Sequence, residues 1–214
     1  ILLCAFGMPL FDSLTLSFGT VGTGGFGILN SSIADYSPAL QIIITVFMIL
    51  SGVNYVAYFY LTTRQMKEIF HVEEIRVYFG VILAASIFIA FNIRSLYPTL
   101  GECFRHAFFQ VGSIITTTGY ATTDFDLWPE VSKTILVLLM VIGACAGSTG
   151  GGLKISRLLI LCKSIPKQLS LVIHPREIKV IKMDGKAIEH QVMRATNVYL
   201  AIYFFITLGS TLFV

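Results

Sequence analysis

Six long stretches of this 214-residue chain contain no Asp, Glu, Lys or Arg. A helix needs about 20 predominantly apolar residues to cross the hydrocarbon core of a bilayer, and each stretch is close to that length or longer. Charged residues make up only 13% of the chain, whereas an average soluble domain contains about 25%. One such stretch fits the core of a soluble protein, but six predict an all-α, multi-pass membrane protein. The stretches are residues 13–34, 36–63, 77–93, 107–123, 134–153 and 195–214.

Two of these stretches contain related segments rich in Gly and Thr. Residues 20–26 read Thr-Val-Gly-Thr-Gly-Gly-Phe, and a gapless shift of 94 positions places Gly25 on Gly119, each followed by an aromatic residue. In potassium channels, carbonyl oxygens of Thr-Val-Gly-Tyr-Gly loops replace the hydration shell of the ion. Residues 20–22 match the first three residues of that loop. The pattern predicts one carbonyl-rich, cation-binding unit that is used twice.

The glycines of the first copy determine its local structure. Five glycines lie between residues 19 and 27, and together they exclude a regular helix there. Non-helical backbone at membrane depth is tolerated only where it is buried in protein or lines a watery cavity. We therefore expect a re-entrant pore loop after a short helix that begins near Pro9. The negative end of that helix dipole would face the loop and favour a cation.

The repeat predicts tandem helix–pore loop–helix units around a central ion pore. The chain begins without Met and ends inside an apolar stretch, which indicates a piece of a longer protein. The predicted parts are the end of a first helix, a pore loop and a second helix over residues 1–63; a cytoplasmic linker over 64–76; a complete helix–pore loop–broken helix repeat over 77–171; a basic cytoplasmic linker over 172–194; and the first helix of the next repeat over 195–214.

Another glycine-rich segment interrupts the last helix of the complete repeat. Residues 143–152 contain five glycines, and each costs about 1 kcal/mol relative to Ala inside a helix, so the helix should unwind there. It is not a phosphate loop, because Leu153 separates Gly152 from Lys154. The segment can be a packing surface for a neighbouring helix, or a flexible segment beside the conduction path, which we favour. Its candidate residues are Gly143, Gly147, Ser148, Thr149, Gly150, Gly151 and Gly152.

Basic residues are concentrated on one side of the predicted topology. Connections 64–76 and 154–194 hold twelve of the fifteen Lys and Arg residues, and the positive-inside rule puts them in the cytoplasm. Both pore loops then open to the outside. The basic segment 163–194 can be solvated, contact anionic membrane lipid or dock a cytoplasmic partner. Acidic residues on the outer side should raise the local cation concentration; they are Asp12, Asp35, Glu102, Asp124, Asp126 and Glu130.

Other classes of site are not supported by the residue pattern. Residues 22–27 formally match G-x-G-x-x-G, but their membrane flanks are not the strand and helix of a dinucleotide site. The four cysteines form no C-x-x-C pair, and the four histidines are scattered. We therefore expect no enzyme active site, no cofactor and no nucleic-acid partner.

Three segments, in this order, resemble a known family. They are residues 20–26, residues 116–125 (Thr-Thr-Thr-Gly-Tyr-Ala-Thr-Thr-Asp-Phe) and residues 147–154 (Gly-Ser-Thr-Gly-Gly-Gly-Leu-Lys). Together they resemble the TrkH-type membrane subunit of the bacterial Trk/Ktr potassium-uptake family, over essentially the whole chain. That family has four helix–pore loop–helix repeats around one pore. The resemblance implies that this chain runs from the second repeat's pore loop to the first helix of the fourth repeat. The first and fourth pore loops, and the positively charged pore residue of the last repeat, are not in this sequence.

The resemblance also implies roles for individual segments. It implies a potassium filter in the two pore loops and a gate in segment 143–152 below that filter. It further implies a homodimer, a cytoplasmic nucleotide-binding regulatory subunit and a location in the bacterial cytoplasmic (inner) membrane. The implied filter residues are Thr20, Val21, Gly22, Thr23, Gly24, Gly25, Ile115, Thr116, Thr117, Thr118 and Gly119, with potassium ions at Val21, Gly22, Thr116 and Thr117.

The expected function is potassium uptake through a carbonyl-lined filter. Selectivity in such a filter depends on the number and field strength of its carbonyls. Because the two loops share only one glycine and the second is rich in Thr, we expect weaker selectivity than in a channel with four identical loops. The alternative is a secondary cation symporter, since broken helices near the bilayer midplane also form transporter sites. Dependence of the flux on a proton or sodium gradient would separate the two.

Overall fold

The computed structural model describes residues 1–174 and 180–213 and is predominantly helical, which confirms the all-α fold class. Two short strands, β1 (Lys182–Met183) and β2 (Lys186–Ala187), pair as an antiparallel hairpin. The helices are α1 (Leu2–Ala5), α2 (Leu10–Val21), α3 (Pro38–Ser51), α4 (Tyr55–Thr62), α5 (Met66–His71), α6 (Glu73–Asn92), α7 (Leu100–Ile115), α8 (Glu130–Ile142), α9 (Ile155–Ile173) and α10 (His190–Phe213), with a 3-10 turn at Phe125–Leu127.

Helices of membrane-spanning length are present in both halves of the chain. By length and composition, α6 and α10 are apolar enough to cross a bilayer, and α3 with α4 would make a third span if it were one bent helix. Helices α8 and α9 are separated by residues 143–154, which confirms the predicted unwinding of this helix.

The second helix that we predicted within residues 1–63 is not continuous. The chain bends by 95° between α3 and α4. Asn54 starts the new helix, because its side-chain Oδ1 accepts a hydrogen bond from Val56 N at 2.9 Å and so caps a free helix amide. Across the bend, Tyr58 Oη donates to Leu50 O at 2.6 Å.

Helix α7 lies at the centre of the fold and packs against α3, α6 and α8. Small side chains at a helix interface within a membrane let the backbones approach closely. This packing holds the loop that follows α7 inside the chain. Four residues spaced four apart share one face of α7 and are fully buried: Cys103, Ala107, Val111 and Ile115.

A second group of buried apolar residues joins the two repeat units. It combines Leu16 of α2 and Met48 of α3 with Phe109 of α7 and Tyr120. Tyr120 is the aromatic residue that follows Gly119, and none of its side chain is exposed. It therefore acts as a packing wedge between the units.

Both predicted linkers are shorter in the structure. The first, residues 64–76, contains α5, and its last four residues already belong to α6. The second, residues 172–194, completes α9 at its start and begins α10 at its end. Of that linker and the final predicted helix, residues 175–179 and 214 lie outside the described part of the chain.

Candidate functional site

The two pore helices end at equivalent positions. Helix α2 ends at Val21 and α7 at Ile115, which the 94-residue repeat superposes. Their capping residues, Gly22 and Thr116, both keep right-handed backbone angles. The structure thus places Thr20 and Val21 in the last helical turn, where we expected the loop to have begun.

After these caps, both loops use left-handed backbone at the same places. Thr23 has φ 50° and its equivalent Thr117 has φ 57°, whereas Gly25 and Gly119 have φ 68° and 90°. Left-handed angles cost a non-glycine residue about 1–2 kcal/mol. Two threonines carry this strain at equivalent positions, which indicates that the loop shape belongs to the repeat unit and not to one residue.

Each loop turns an amide back onto its own helix. Gly24 N donates to Gly19 O at 2.8 Å, and Thr118 N donates to Ser113 O at 2.9 Å. These two bonds are also equivalent under the repeat. Because the amides point towards the helix ends, the carbonyls of the loops are free to face elsewhere.

The carbonyl oxygens of the loops differ in whether they already accept a hydrogen bond. Among the positions predicted to contact potassium, Val21 O accepts from Thr149 Oγ1 at 3.0 Å. Gly22 O and Thr116 O each accept from the hydroxyl of the following threonine, at 2.8 and 2.7 Å. The predicted ion contacts therefore remain a prediction: three of the four carbonyls already accept a hydrogen bond, whereas the carbonyl of Thr117 does not. Within the described residues, those that accept no hydrogen bond include Thr23 O, Gly24 O, Thr117 O and Thr118 O.

The two pore loops contact each other directly. Tyr120 Oη donates to Phe26 O at 3.3 Å, across the 94-residue separation. Just beyond the loops, Ile33 N donates to Ala121 O at 3.1 Å. Residues far apart in sequence are thereby brought to one place, as a shared ion pathway requires.

The two loop glycines have different surroundings. A Cβ atom on Gly25 would overlap the carbonyl oxygen of Thr118, and it would lie 2.8 Å from the Thr118 carbonyl carbon. A Cβ atom on Gly119 meets no described atom within 4 Å. Gly25 is thus required by both its backbone angle and its contact, whereas Gly119 is required by its backbone angle.

Residues 143–154 include the segment 143–152 and are called the gate loop after the role that the family resemblance implies. The two ends of this loop lie close together. Ile155 N donates to Ala144 O at 3.1 Å. Two glycines with positive φ, Gly143 and Gly152, face each other so closely that a Cβ on Gly143 would lie 2.9 Å from Gly152 Cα. The chain therefore leaves α8 and enters α9 at nearly the same point.

The gate loop is attached to the bend between α3 and α4. Cys145 N donates to Gly52 O at 3.1 Å, and Tyr55 N donates to Gly147 O at 3.1 Å. Both groups on the bend are backbone groups that a continuous helix would have used internally. The bend thus supplies the binding partners of the gate loop.

The tip of the gate loop contacts both pore loops. Thr149 Oγ1 donates to Val21 O at 3.0 Å. The single hydroxyl proton of Thr23 is shared between Gly22 O, at 2.8 Å from Oγ1, and Thr149 O, at 3.1 Å. On the other unit, Gly151 N donates to Thr117 Oγ1 at 2.6 Å. The left-handed threonines of the two repeats, Thr23 and Thr117, therefore both bind the tip.

One charged residue of this site was not predicted from the sequence. Glu74 was assigned to a cytoplasmic linker, but it lies in the first turn of α6 and only 2% of it is exposed. Its Oε1 accepts from Ala146 N at 2.6 Å and from Ser156 N at 3.0 Å. The sequence feature that could have indicated its burial is a carboxylate close to an uncharged stretch that is short for a membrane span.

On the outer side, some of the predicted acidic residues have partners. Tyr36 Oη donates to Asp12 Oδ2 at 3.0 Å. Burial, and then this hydrogen bond, raise the pKa of Tyr36 to about 12, so the hydroxyl stays a donor at neutral pH. Glu130 pairs with Lys133 at 2.7 Å. Attraction of cations by this surface remains a prediction.

Comparisons with known proteins agree on one family. The family model of TrkH, described as a cation transport protein, matches residues 6–214. The Trk system potassium uptake protein TrkH of Salmonella typhimurium is 33% identical over 210 residues, which cover 96% of this chain and 44% of that protein. An uncharacterized cation transporter of Methanocaldococcus jannaschii is 26% identical over 205 residues, covering 95% of this chain and 41% of that protein.

A solved structure also matches. The crystal structure of the potassium transporter TrkH from Vibrio parahaemolyticus superposes with a TM-score of 0.91 at 29% identity. The match covers 98% of this chain and 46% of that chain. The chain thus spans less than half the length of the relatives that it matches.

Proposed function

Since this chain belongs to the TrkH family of cation transport proteins, we propose that it forms part of a pore for potassium uptake across a membrane. The observation that supports this most directly is the pair of equivalent pore loops, which contact each other through Tyr120 and Phe26. Each loop follows the C-terminal end of a short helix, where the helix dipole is negative and favours a cation.

In this proposal, loop carbonyls replace the water around the ion. The amides of each loop bind their own helix, and so the unpaired carbonyls are available to a cation. We assign the ion contacts to the filter residues 20–25 and 115–119, with Thr23, Gly24, Thr117 and Thr118 supplying carbonyls that have no other partner. Strain at the two threonines is consistent with a loop shape kept for binding.

The gate loop is proposed to close the path on the inner side of these loops. Its tip hydrogen-bonds to both units at Thr23 and Thr117. A tip held in this position would lie beside the carbonyls of both loops and would have to move before an ion could pass. In this proposal, the position of the tip corresponds to the closed state of the pathway.

The proposed membrane orientation and partners are based on the charge distribution and on the family resemblance. We propose that the basic connections face the cytoplasm and that the pore loops open to the outside of a bacterial inner membrane. We also propose that membrane lipid surrounds the spans, that the complete protein is a homodimer, and that a nucleotide-binding subunit regulates it from the cytoplasm. These partners and this setting are what the family resemblance implies.

A secondary cation symporter remains the second candidate. The break between α8 and α9 has the form of the discontinuous helices that bind ions in transporters. The full-length protein in proteoliposomes would separate the two mechanisms. Rubidium uptake that needs no proton or sodium gradient supports the pore, whereas uptake that stops without such a gradient supports the symporter.

The basic test is growth of a potassium-uptake-deficient bacterium that carries the full-length protein. Growth at low potassium is expected with the wild-type sequence. Failure to grow, with the protein present in the membrane, would contradict potassium uptake.

Replacing Gly119 with Ser should reduce selectivity. A side chain at φ 90° is strained and would displace the adjacent carbonyls of the second loop. We expect the ratio of potassium to sodium flux to fall about fivefold, equivalent to about 1 kcal/mol in relative barrier height. Gly101→Ser is the control, because Gly101 lies in α7 with open space around it. An unchanged flux ratio in Gly119→Ser proteoliposomes would remove Gly119 from the filter.

Replacing Thr149 with Val should make the closed state leak. The change removes the hydroxyl that donates to Val21 O and keeps the shape of the side chain. One hydrogen bond contributes about 1 kcal/mol, so we expect basal rubidium flux to rise about fivefold. Thr134→Val is the matched control, since Thr134 is exposed and bonds only within α8. Equal basal fluxes in the two variants would contradict the proposed contact.

A further inference from the structure

Glu74 occupies an unusual position for a carboxylate. Among residues 1–174 and 180–213, no other Asp, Glu, Lys or Arg is as deeply buried. Burial of a charged group is unfavourable unless hydrogen bonds compensate for the lost water. A carboxylate that remains in such a place must therefore be held by several donors.

The donors to Glu74 come from the two ends of the gate loop. Oε1 accepts from Ala146 N at 2.6 Å, three residues after the loop begins. The same oxygen accepts from Ser156 N at 3.0 Å, in the first turn of α9 where the loop ends. Oε2 accepts from Asn54 Nδ2 at 3.4 Å, which links the carboxylate to the bend.

The contact with Ser156 also satisfies a helix end. The first amides of a helix have no partner within it, and the N-cap residue of α9, Lys154, provides no side-chain cap. The Glu74 carboxylate takes that place, and its negative charge suits the positive end of the α9 dipole. One oxygen atom thus fixes both ends of the loop to α6.

We propose that Glu74 is the positioning residue of the gate loop, holding its two ends so that its tip reaches both pore loops. This inference rests on the proposed function, because it assumes that the loop is a gate. The residues between the two clamped amides are then the part that moves. Glu74 acts by placing a hydrogen-bond acceptor and not by attracting ions with its charge.

Two substitutions separate position from charge. Glu74→Gln keeps an acceptor oxygen at the same distance from the backbone, whereas Glu74→Asp keeps the charge but shortens the side chain by one methylene. In full-length protein reconstituted in proteoliposomes, we expect Glu74→Asp to raise basal rubidium flux several-fold. Glu74→Gln should raise it less than Glu74→Asp does, because an oxygen still faces the two amides, although the new NH2 group meets Asn54 Nδ2. The control is Glu68→Gln, because Glu68 is exposed on α5.

A second measurement reports on the loop itself. Ser148→Cys, in a Cys162→Ser background that removes the exposed native thiol, allows the rate of maleimide labelling at the tip to be measured. Glu74→Asp should label several-fold faster than wild type, and Glu74→Gln should label more slowly than Glu74→Asp. When residues 148–151 are deleted, Glu74→Asp should cause no further change in flux.

The possible results distinguish the two hypotheses. If the deletion raises flux but Glu74→Asp labels and conducts like wild type, Glu74 is not the positioning residue and the gate remains. If Glu74→Gln leaks and Glu74→Asp does not, charge matters instead and the positioning role is wrong. If the deletion leaves flux unchanged, the gate itself is wrong, whatever the labelling rates.

Discussion

Replacing Gly25 with Ala should nearly abolish potassium uptake by the full-length protein. Gly25 has φ 68°, and an added Cβ would overlap the Thr118 carbonyl oxygen of the other pore loop. The backbone angle costs about 1–2 kcal/mol, and overpacking adds about 1–3 kcal/mol. A combined cost near 3 kcal/mol corresponds to roughly a 100-fold loss. Neither loop can relieve the overlap without moving carbonyls that we assign to the ion.

Two control glycines separate the effect of backbone strain from the effect of the overlap. Gly185 lies in the β1–β2 hairpin with φ 76° and no described atom near a new Cβ, so Gly185→Ala strains the backbone far from the pore loops. Gly119→Ala strains a pore loop without an overlap. We expect uptake to decrease in the order Gly185→Ala, Gly119→Ala, Gly25→Ala. The measurement is rubidium uptake per amount of folded protein, with folding checked by thermal unfolding in detergent. Uptake by Gly25→Ala equal to that of Gly185→Ala would show that the loop contact does not matter.

Deleting residues 148–151 should open the pathway permanently. The deletion removes three hydrogen bonds between the tip and the pore loops, which involve Val21, Thr23 and Thr117. At about 1 kcal/mol each, they favour the closed state by about 3 kcal/mol, or roughly 100-fold. We therefore expect basal flux to rise by up to about 100-fold and to lose its response to regulation.

This deletion leaves the two ends of the gate loop together, because Ala144 and Ile155 still pair. The measurement is single-vesicle rubidium or potassium efflux in the absence of any regulatory ligand. If the deleted protein conducts no faster than wild type, the segment only packs against its neighbours, which is the other interpretation that the sequence allowed.

The class of fold was predictable from the sequence. Uncharged stretches predicted a helical membrane protein, although among the described residues only α6 and α10, and α3 with α4 if they form one bent span, are long and apolar enough to cross a bilayer. The shared spacing of Gly25 and Gly119 predicted two related loops, and their backbone angles are equivalent in the structure. The unwinding after α8 was also predictable, because five glycines in ten residues oppose a helix. These signals are local, because they depend only on the composition and spacing of residues that are close in sequence or repeated.

The tertiary contacts of the site could not be predicted in the same way. Nothing in the sequence near Asn54 says that its cap would bend a span by 95°, since a lone Asn is tolerated in many helices. Glu74 looked like one more charge of a cytoplasmic turn, and its role depends on amides from two distant segments. Which loop carbonyls accept hydrogen bonds was not predictable either, because the donors to Val21 O, Gly22 O and Thr116 O are hydroxyl groups whose positions depend on the tertiary fold.

A continuous helix through α3 and α4 and the observed attachment of the gate loop to the bend are mutually exclusive. In an unbroken helix, Tyr55 N would donate to Ser51 O, and Gly52 O would accept from Val56 N. In the structure, Tyr55 N instead donates to Gly147 O, and Gly52 O accepts from Cys145 N. Straightening this span would therefore break both contacts and release the glycine-rich segment, so the shape of the span and the position of that segment are coupled.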